Sequence, residues 1–565
     1  MNLNAAQRQA VLHKEGACLV IAGPGSGKTA VLTRRVRELI NSGVPADQIL
    51  VITFTKAAAI EMKERFEGLS EEKAPVTFGT FHSLFWGILQ KELGYKNCDI
   101  IMGAEKERVY REAVYLAGEM EEEIPKKYEF LKDKYHVIDF DDMLIKADKL
   151  FEERPAILEK WQSRFSYFLV DEMQDMNDLQ FKLISMLSAK TNNLFCVGDD
   201  DQSIYGFRGA NPRIMQDFMT IYPKAEKIIL DYNYRNPGNI VLAAGNLINV
   251  NKNRFEKEIK STAEDGVIDV FEKSTPEEEA DEVIVKISKL KADGCAYDNI
   301  AVLYRNHSDA RYVVDKLVNR GIPFYLKEKM PNIYSHFIIS DIEAYFQLAL
   351  GNVTKARMLS ILNRPDRFLH RQSVERGADK ASMLEFYRIN PACYKMVEAL
   401  WADIALISKM SPVAAINYIR KAMGYESFLE TEAVKKQVEM AEYNDVLDFL
   451  IEVFRDCRTI RQAIDKLNIQ RLKIDYENKN KNVDKAGKIG LYTLHSSKGL
   501  EFENVFIISA NDGIIPSNKV ESRDDMEGER RLFYVGITRT KKNLFISYTN
   551  KKNRDKSRFL DEMKY

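Results

Sequence analysis

Three short apolar runs that break off abruptly into polar residues organise the first two hundred positions of this chain. In "ACLVIAGPGSGKTAVLTRRVRELI" an apolar strand turns through glycines and continues with Val31, Leu32, Val36 and Leu39 at helical spacing. A second strand, "YFLVDEMQD", ends in Asp171 and Glu172, and a third, in "LFCVGDDDQSIYGFRGA", ends in acids and Gln202. Much later, "YVGITRTK" (Tyr534 to Lys541) reads as a short apolar strand or helix end followed by Arg539. Between these runs lies a charged helical stretch, "EKERVYREAVYLAGEMEEEIPKKYEFLKDKY", whose Glu and Lys runs read as a solvated face. A longer helical segment follows, roughly Tyr334 to Ile474. The polar, lysine-rich "DYENKNKNVDKAGK" from Asp475 then reads as a linker.

No apolar run reaches the length that spans a bilayer, and "MNLNAAQRQAVLHKEG" lacks the basic segment and apolar block of a secretory signal. The expectation is a cytoplasmic protein without a membrane partner. At 565 residues the chain exceeds what one hydrophobic core supports, so several domains are expected. Lys and Arg (83) nearly cancel Asp and Glu (84), so any nucleic-acid binding has to be local, along a groove with its own basic and aromatic walls. The six cysteines, with no CxxC pair, read as reduced core thiols.

The first run carries phosphate chemistry. Gly23, Gly25 and Gly27, with Ser26 among them, let the backbone curl so that its N–H groups face an anion at a helix N-terminus. Lys28 reaches the outer phosphates and Thr29 offers a hydroxyl to Mg2+; the usual first glycine of this loop is Ala22 here. Carboxylates ending a buried strand are costly unless they hold a metal or a water. Asp171 is therefore assigned to Mg2+, and Glu172 to orienting and deprotonating the attacking water. These residues describe a nucleotide hydrolase. Gln202 is placed to sense the γ-phosphate; Tyr205 and Phe207 just after it are either stacking rings or ordinary core residues.

Taken in order along the chain, the motifs resemble the superfamily 1 DNA helicases of the UvrD, Rep and PcrA type. "LNAAQRQAV" is similar to the family's adenine-reading motif, with Gln7 in the key position. "AGPGSGKT", "TFTKAAAIEMKERF", "TFHSL", "VDEMQD", "GDDDQSIYGFRGA", "NYRNP", "LYTLHSSKGLEF" and "EGERRLFYVGITRTK" follow in the family's order. The resemblance implies an α/β fold of two RecA-like parallel-sheet motor domains, each with a mainly helical insertion. The expected division is 1–85 with 137–230 (1A), 86–136 (1B), 231–333 with 475–565 (2A) and 334–474 (2B). "SRFLDEM" resembles the family's final strand-closing segment.

The same resemblance implies that Arg539 and Arg235 contact the γ-phosphate as arginine fingers, that Tyr234 stacks on adenine and that Glu501 bonds the ribose. Phe54, Tyr205 and Phe207 match base-stacking positions, and His82, Arg305 and His495 match DNA-contacting ones, with a hydrogen-bonded core histidine as the alternative for each histidine and a plain surface arginine as the alternative for Arg305. The implied activity is ATP-driven 3′ to 5′ movement on single-stranded DNA with duplex unwinding, in repair, replication or recombination. The implied partner is a DNA junction with a 3′ single-stranded tail. A translocase that strips proteins from single strands, and a nucleotide-gated DNA-binding subunit, are the competing readings; the set Lys28, Asp171, Glu172, Gln202, Arg235 and Arg539 argues against the latter.

Overall fold

A computed structural model describes residues 3–69, 74–118, 120–479, 485–550 and 555–565. The chain divides into two compact units, residues 1–268 with 516–544 and 558–565, and residues 269–515 with 545–557.

The first unit is built on six strands: β1 (Cys18–Ala22), β2 (Ile49–Thr53), β3 (Thr77–Thr80), β4 (Tyr167–Val170), β5 (Leu194–Gly198) and β6 (Glu226–Leu230), in the order β3-β2-β4-β5-β1-β6. Every neighbouring pair is parallel. Parallel sheets need helical crossovers on both faces, which explains why the strands read as unbroken apolar runs. Leu19 and Ile21 enter one core, with Ile52, Val170 and Cys196. The alternate residues Cys18 and Val20 enter the other, with Val31, Val36, Val51 and Val197. A two-stranded parallel ribbon, β7 (Tyr232–Pro237) with β8 (Lys260–Ala263), completes this unit's strands. The helices Ala104–Ala117 and Ile124–Tyr135 enclose a small core of Val109, Ala113, Tyr128 and Leu131. The charge runs on this pair are largely solvated as expected, except that Lys132 is buried and donates to Asp142 at 2.6 Å.

The other six-stranded sheet takes β9 (Val267–Lys273), β10 (Ile300–Tyr304), β11 (Phe324–Leu326), β12 (Ile489–Thr493), β13 (Phe502–Ile507) and β14 (Thr540–Thr549) in the order β11-β12-β10-β13-β14-β9. The pairings among β10, β11, β12 and β13 are parallel. Its core continues through helices that occupy most of 337–479, from Phe337–Ala349 to Ile460–Lys479. The buried Glu279 accepts from Ser509 N, Ser509 Oγ and Ser547 Oγ, which satisfies a carboxylate that burial would otherwise make costly.

Three expectations change. The linker expected from Asp475 begins as helix, because Ile460–Lys479 carries on through Ile474 and Glu477, both buried; the residues 480–484 of that segment lie outside the described residues. "SRFLDEM" contributes the helix Arg558–Met563, which buries Phe559, Leu560 and Met563. Of the six free cysteines only Cys18 and Cys196 are buried; Cys98 is exposed and the others half-buried. Among the described residues no helix is long and apolar enough to cross a membrane.

Candidate active site

β1 delivers the chain into the loop Gly23–Gly27. Gly25 (φ +65°) and Gly27 (φ +85°) hold left-handed backbone that other residues rarely adopt. A Cβ on Gly25 would also lie 2.6 Å from Asn233 Oδ1 and 2.7 Å from Arg235 Cβ, so the loop is pressed against β7. The helix Lys28–Asn41 starts without a side-chain cap, which leaves its first N–H groups available to an anion. Ser26 Oγ donates to Gly23 O at 2.8 Å, and Lys28 Nζ reaches the same carbonyl at 3.5 Å, so the loop closes on itself. Thr29 stands half-buried on the first turn.

Gln7 is 2% exposed and donates from Nε2 to Ser26 O at 2.9 Å. A reciprocal capping box with Asn4 fixes it, and Asn4 Nδ2 donates to the Tyr234 hydroxyl at 2.9 Å. Tyr234 N in turn donates to Gly25 O at 3.0 Å. One short network thus joins the two expected adenine contacts to the phosphate loop. The sequence reading missed what holds this helix down: Arg35, 2% exposed, lies over the Phe195 ring at 4.3 Å and donates to the His13 carbonyl at the C-terminal end of Ala5–Leu12.

Asp171 follows β4 and is nearly sealed from solvent. Burial, then the neighbouring Glu172 charge, push its carboxyl above the ordinary range, while Lys28 pulls the other way. Glu172 occupies left-handed backbone (φ +54°), a conformation that costs a non-glycine residue energy and turns the chain sharply at the strand end. Gln174 donates to the Glu172 carboxylate and accepts from Asp199 N at 2.9 Å. Past β5, Gln202 Nε2 donates to Asp199 Oδ2 at 2.6 Å, and Gln202 Oε1 accepts from an Arg539 nitrogen at 3.1 Å.

Arg539 follows the helix Arg523–Ile537 and is 1% exposed. Its Nε donates to Val535 O at 2.9 Å. Burial and then the charge of Arg235 push its pKa down, partly offset by Glu172. Two guanidinium groups whose charges repel each other, beside the Glu172 carboxylate, suit a polyphosphate with a divalent cation. The cation suits the Asp171 carboxylate and the Thr29 hydroxyl, and the polyanion suits the arginines, Lys28 and the loop. The donor set therefore fits ATP and Mg2+. Asp199, Asp200 and Asp201 also cluster, but the ammonium of Lys257 lies within 2.9 Å of all three, so a side-chain cation already sits at the centre of this cluster.

The aromatic residues form a separate feature of the same unit. The Phe54 and Tyr205 rings stack at 5.5 Å and 13°. Phe207, 68% exposed, leans on Tyr205 at 6.1 Å, and Arg208 lies 5.3 Å above the Tyr205 ring. A cavity of about 350 Å³ opens beside them, lined by Phe54, His82, Asp141, Leu144, Tyr205 and Arg208. His82 packs edge-on to Phe140 at 5.9 Å, and burial lowers its pKa. Arg208 was not among the expected residues, although it directly follows Phe207.

The first unit thus brings together Gln7, the loop residues, Lys28, Thr29, Asp171, Glu172, Gln202, Tyr234, Arg235 and Arg539, with Phe54, His82, Tyr205 and Phe207 in the aromatic feature. Arg305, His495 and Glu501 belong to the second unit. There Arg305 follows β10, His495 opens the turn after β12, and Glu501 is an exposed residue directly before β13.

Residues 3–100 and 96–223 match the family model described as UvrD/REP helicase N-terminal domain, and residues 228–551 match the UvrD-like helicase C-terminal domain. The chain is 33% identical, across 99% of its length and 81% of the relative's, to a Bacillus subtilis protein named "Putative ATP-dependent DNA helicase YjcD". It is 30% identical to the ATP-dependent DNA helicase Rep of Buchnera aphidicola, covering 98% of this chain and 95% of that one. With the ATP-dependent DNA helicase PcrA of Staphylococcus epidermidis the identity is 31%, over 97% and 83%. The glycine loop, the strand-end carboxylates, the half-buried Arg235 and the buried Arg539 are thus set in a chain that belongs to the UvrD/Rep family of ATP-dependent DNA helicases.

Proposed function

We propose that this chain is a motor that hydrolyses ATP with Mg2+, moves 3′ to 5′ along single-stranded DNA and separates duplex ahead of it, loading at a 3′ single-stranded tail in the cytoplasm. The observation that carries this reading is the convergence of Gln202 and Arg539 with Arg235 and Glu172 beside the glycine loop. A binding switch has no need of a base and two cations at the same phosphate.

In this reading Gln7 and Tyr234 select the base. Gly23, Gly25, Ser26 and Gly27 cradle the phosphates, and Lys28 meets the outer ones. Thr29 and Asp171 would hold Mg2+, which supplies charge neutralisation on the phosphate oxygens. Glu172 orients a water and takes its proton. Gln202 registers the γ-phosphate, and Arg235 with Arg539 stabilise charge as it spreads over the transferred group. Phe54, Tyr205 and Phe207 stack on bases, His82, Arg305 and His495 contact the strand, and Glu501 contacts the ribose. The stacked Phe54 and Tyr205 rings border the open cavity, so a base has an aromatic wall to stack against there. The working division remains 1A (1–85, 137–230), 1B (86–136), 2A (231–333, 475–565) and 2B (334–474).

The test is ATP hydrolysis with and without single-stranded DNA, run beside duplexes carrying a 3′ or a 5′ overhang at fixed salt. Stimulation with separation of the 3′-tailed duplex alone is the expected result. Stimulation without separation would leave a protein-stripping translocase, and no stimulation would overturn the motor reading.

A further inference from the structure

We propose that Lys257, aided by Arg254, is a positioning residue for ATP hydrolysis: it fixes Asp199 so that Gln202 can present its amide oxygen to Arg539. This inference rests on the proposed hydrolase reading and adds to it a residue that lies in none of the quoted motifs.

Lys257 has a fully buried ammonium that meets Asp199 Oδ1 at 2.7 Å, Asp200 Oδ1 at 2.5 Å and Asp201 Oδ2 at 2.9 Å. Arg254 grips Asp201 with two parallel bonds, Nε to Oδ1 and a terminal nitrogen to Oδ2, both 2.8 Å. Phe255 N donates to Asp200 Oδ2 at 2.7 Å. Three carboxylates that close together in a dry interior cannot all stay ionised without such partners. Burial alone would lower the Lys257 ammonium, but Asp199, Asp201 and Asp200 reverse this and hold it charged. Asp199 itself stays ionised despite its burial, through the charges of Lys257 and Lys28.

The consequence for Gln202 is geometric. A side-chain amide has one donating and one accepting end. Asp199 takes the donating end at 2.6 Å, so the oxygen is left facing the Arg539 guanidinium at 3.1 Å. A carboxylate that is free to turn, or protonated, no longer dictates which way the amide points. The chain Lys257–Asp199–Gln202–Arg539 therefore sets the orientation of the proposed sensor against the proposed finger.

The segment holding Lys257 also touches the other parts of the site. Ile259 lies so close to the phosphate loop that a Cβ on Gly23 would come within 2.7 Å of its Cδ1. Glu527, on the helix that leads to Arg539, accepts from Lys252 N at 2.9 Å, and Arg531 on that helix donates to Asn253 O at 3.2 Å. Residues 252–259 are thus a strap between the phosphate loop, the three aspartates and the helix preceding Arg539.

The test is a double-mutant cycle on DNA-stimulated ATP hydrolysis by the full chain, with Lys257→Met, Gln202→Ala and the pair together. If Lys257 acts through Gln202, K257M lowers kcat about 100-fold, the loss typical of a misplaced group, and shifts KM for ATP by less than about threefold. In the Q202A background K257M then causes almost no further loss, because the amide it orients is gone. Uncovering three aspartates threatens folding, so Lys257→Met is also made with Asp200→Asn, which removes one buried charge along with the ammonium. The same pattern is expected there, with thermal melting confirming a folded protein. Multiplicative losses in the cycle, or a folded variant with unchanged kcat, overturn the role of Lys257. Failure of the unaltered chain to hydrolyse ATP would instead overturn the hydrolase reading on which that role rests.

Discussion

Replacing Arg539 with alanine separates a cation that serves turnover from one that serves folding. The guanidinium donates to Val535 O at 2.9 Å, Thr538 Oγ1 at 3.0 Å and Gln202 Oε1 at 3.1 Å. At roughly 1 kcal/mol net per bond, their loss removes about 3 kcal/mol of stabilisation. Against that, burial and the neighbouring Arg235 push the Arg539 pKa down to about 9, so the fold without nucleotide disfavours the very charge that the substitution deletes. These terms oppose each other, and R539A is expected to melt within a few degrees of the parent. Turnover is different, because the charge on the γ-phosphate spreads where the arginine points only during the reaction. Removing a finger of this kind costs about a thousandfold or more in kcat, or about 4 kcal/mol of barrier. The assay is DNA-stimulated ATP hydrolysis at saturating ATP, with melting curves taken with and without nucleotide. ATP should raise the melting temperature of the parent more than that of R539A. Parental turnover by R539A with DNA present would refute the assignment, and so would a loss of rate matched by the fraction of protein unfolded.

Other expectations follow from the same geometry. Gly25→Ala combines a φ of +65° with a Cβ 2.6 Å from Asn233 Oδ1, so it should abolish binding of a fluorescent ATP analogue, and unchanged affinity would contradict the close packing of loop on ribbon. Phe54→Ala and Tyr205→Ala should each weaken binding to a short oligo-dT by about 1–3 kcal/mol, read by fluorescence anisotropy, while hydrolysis without DNA stays at the parental rate. Burial pushes the Cys18 thiol up to about 12 and seals Cys196, whereas Cys98 is exposed. In the folded protein iodoacetamide should therefore label Cys98 and spare Cys18 and Cys196, as mass spectrometry would show.

Local order in the sequence determined much of this protein. One apolar strand, a glycine-rich turn and a periodic helix lie within one stretch from Cys18 to Asn41, so their pattern alone predicts a phosphate loop. Asp171 and Glu172 are legible for the same reason, as they directly end an apolar run. The ordered motifs extended that legibility to Arg235 and Arg539, through resemblance alone. Tertiary structure decided what requires distant segments to meet. The Gln202–Arg539 bond spans 337 positions, and the Asn4–Tyr234 bond spans 230. Lys257 stands in the stretch "NRFEKEIK", outside every quoted motif, and only folding carries its ammonium to three aspartates that the sequence places over fifty positions earlier. Arg35 sits on the expected helix with nothing local to show that it lies over the Phe195 ring and reaches the His13 carbonyl. The physical reason is the range of the forces: backbone conformation and strand or helix periodicity follow from neighbours along the chain. The pairing of buried charges depends on which surfaces the fold removes from water together.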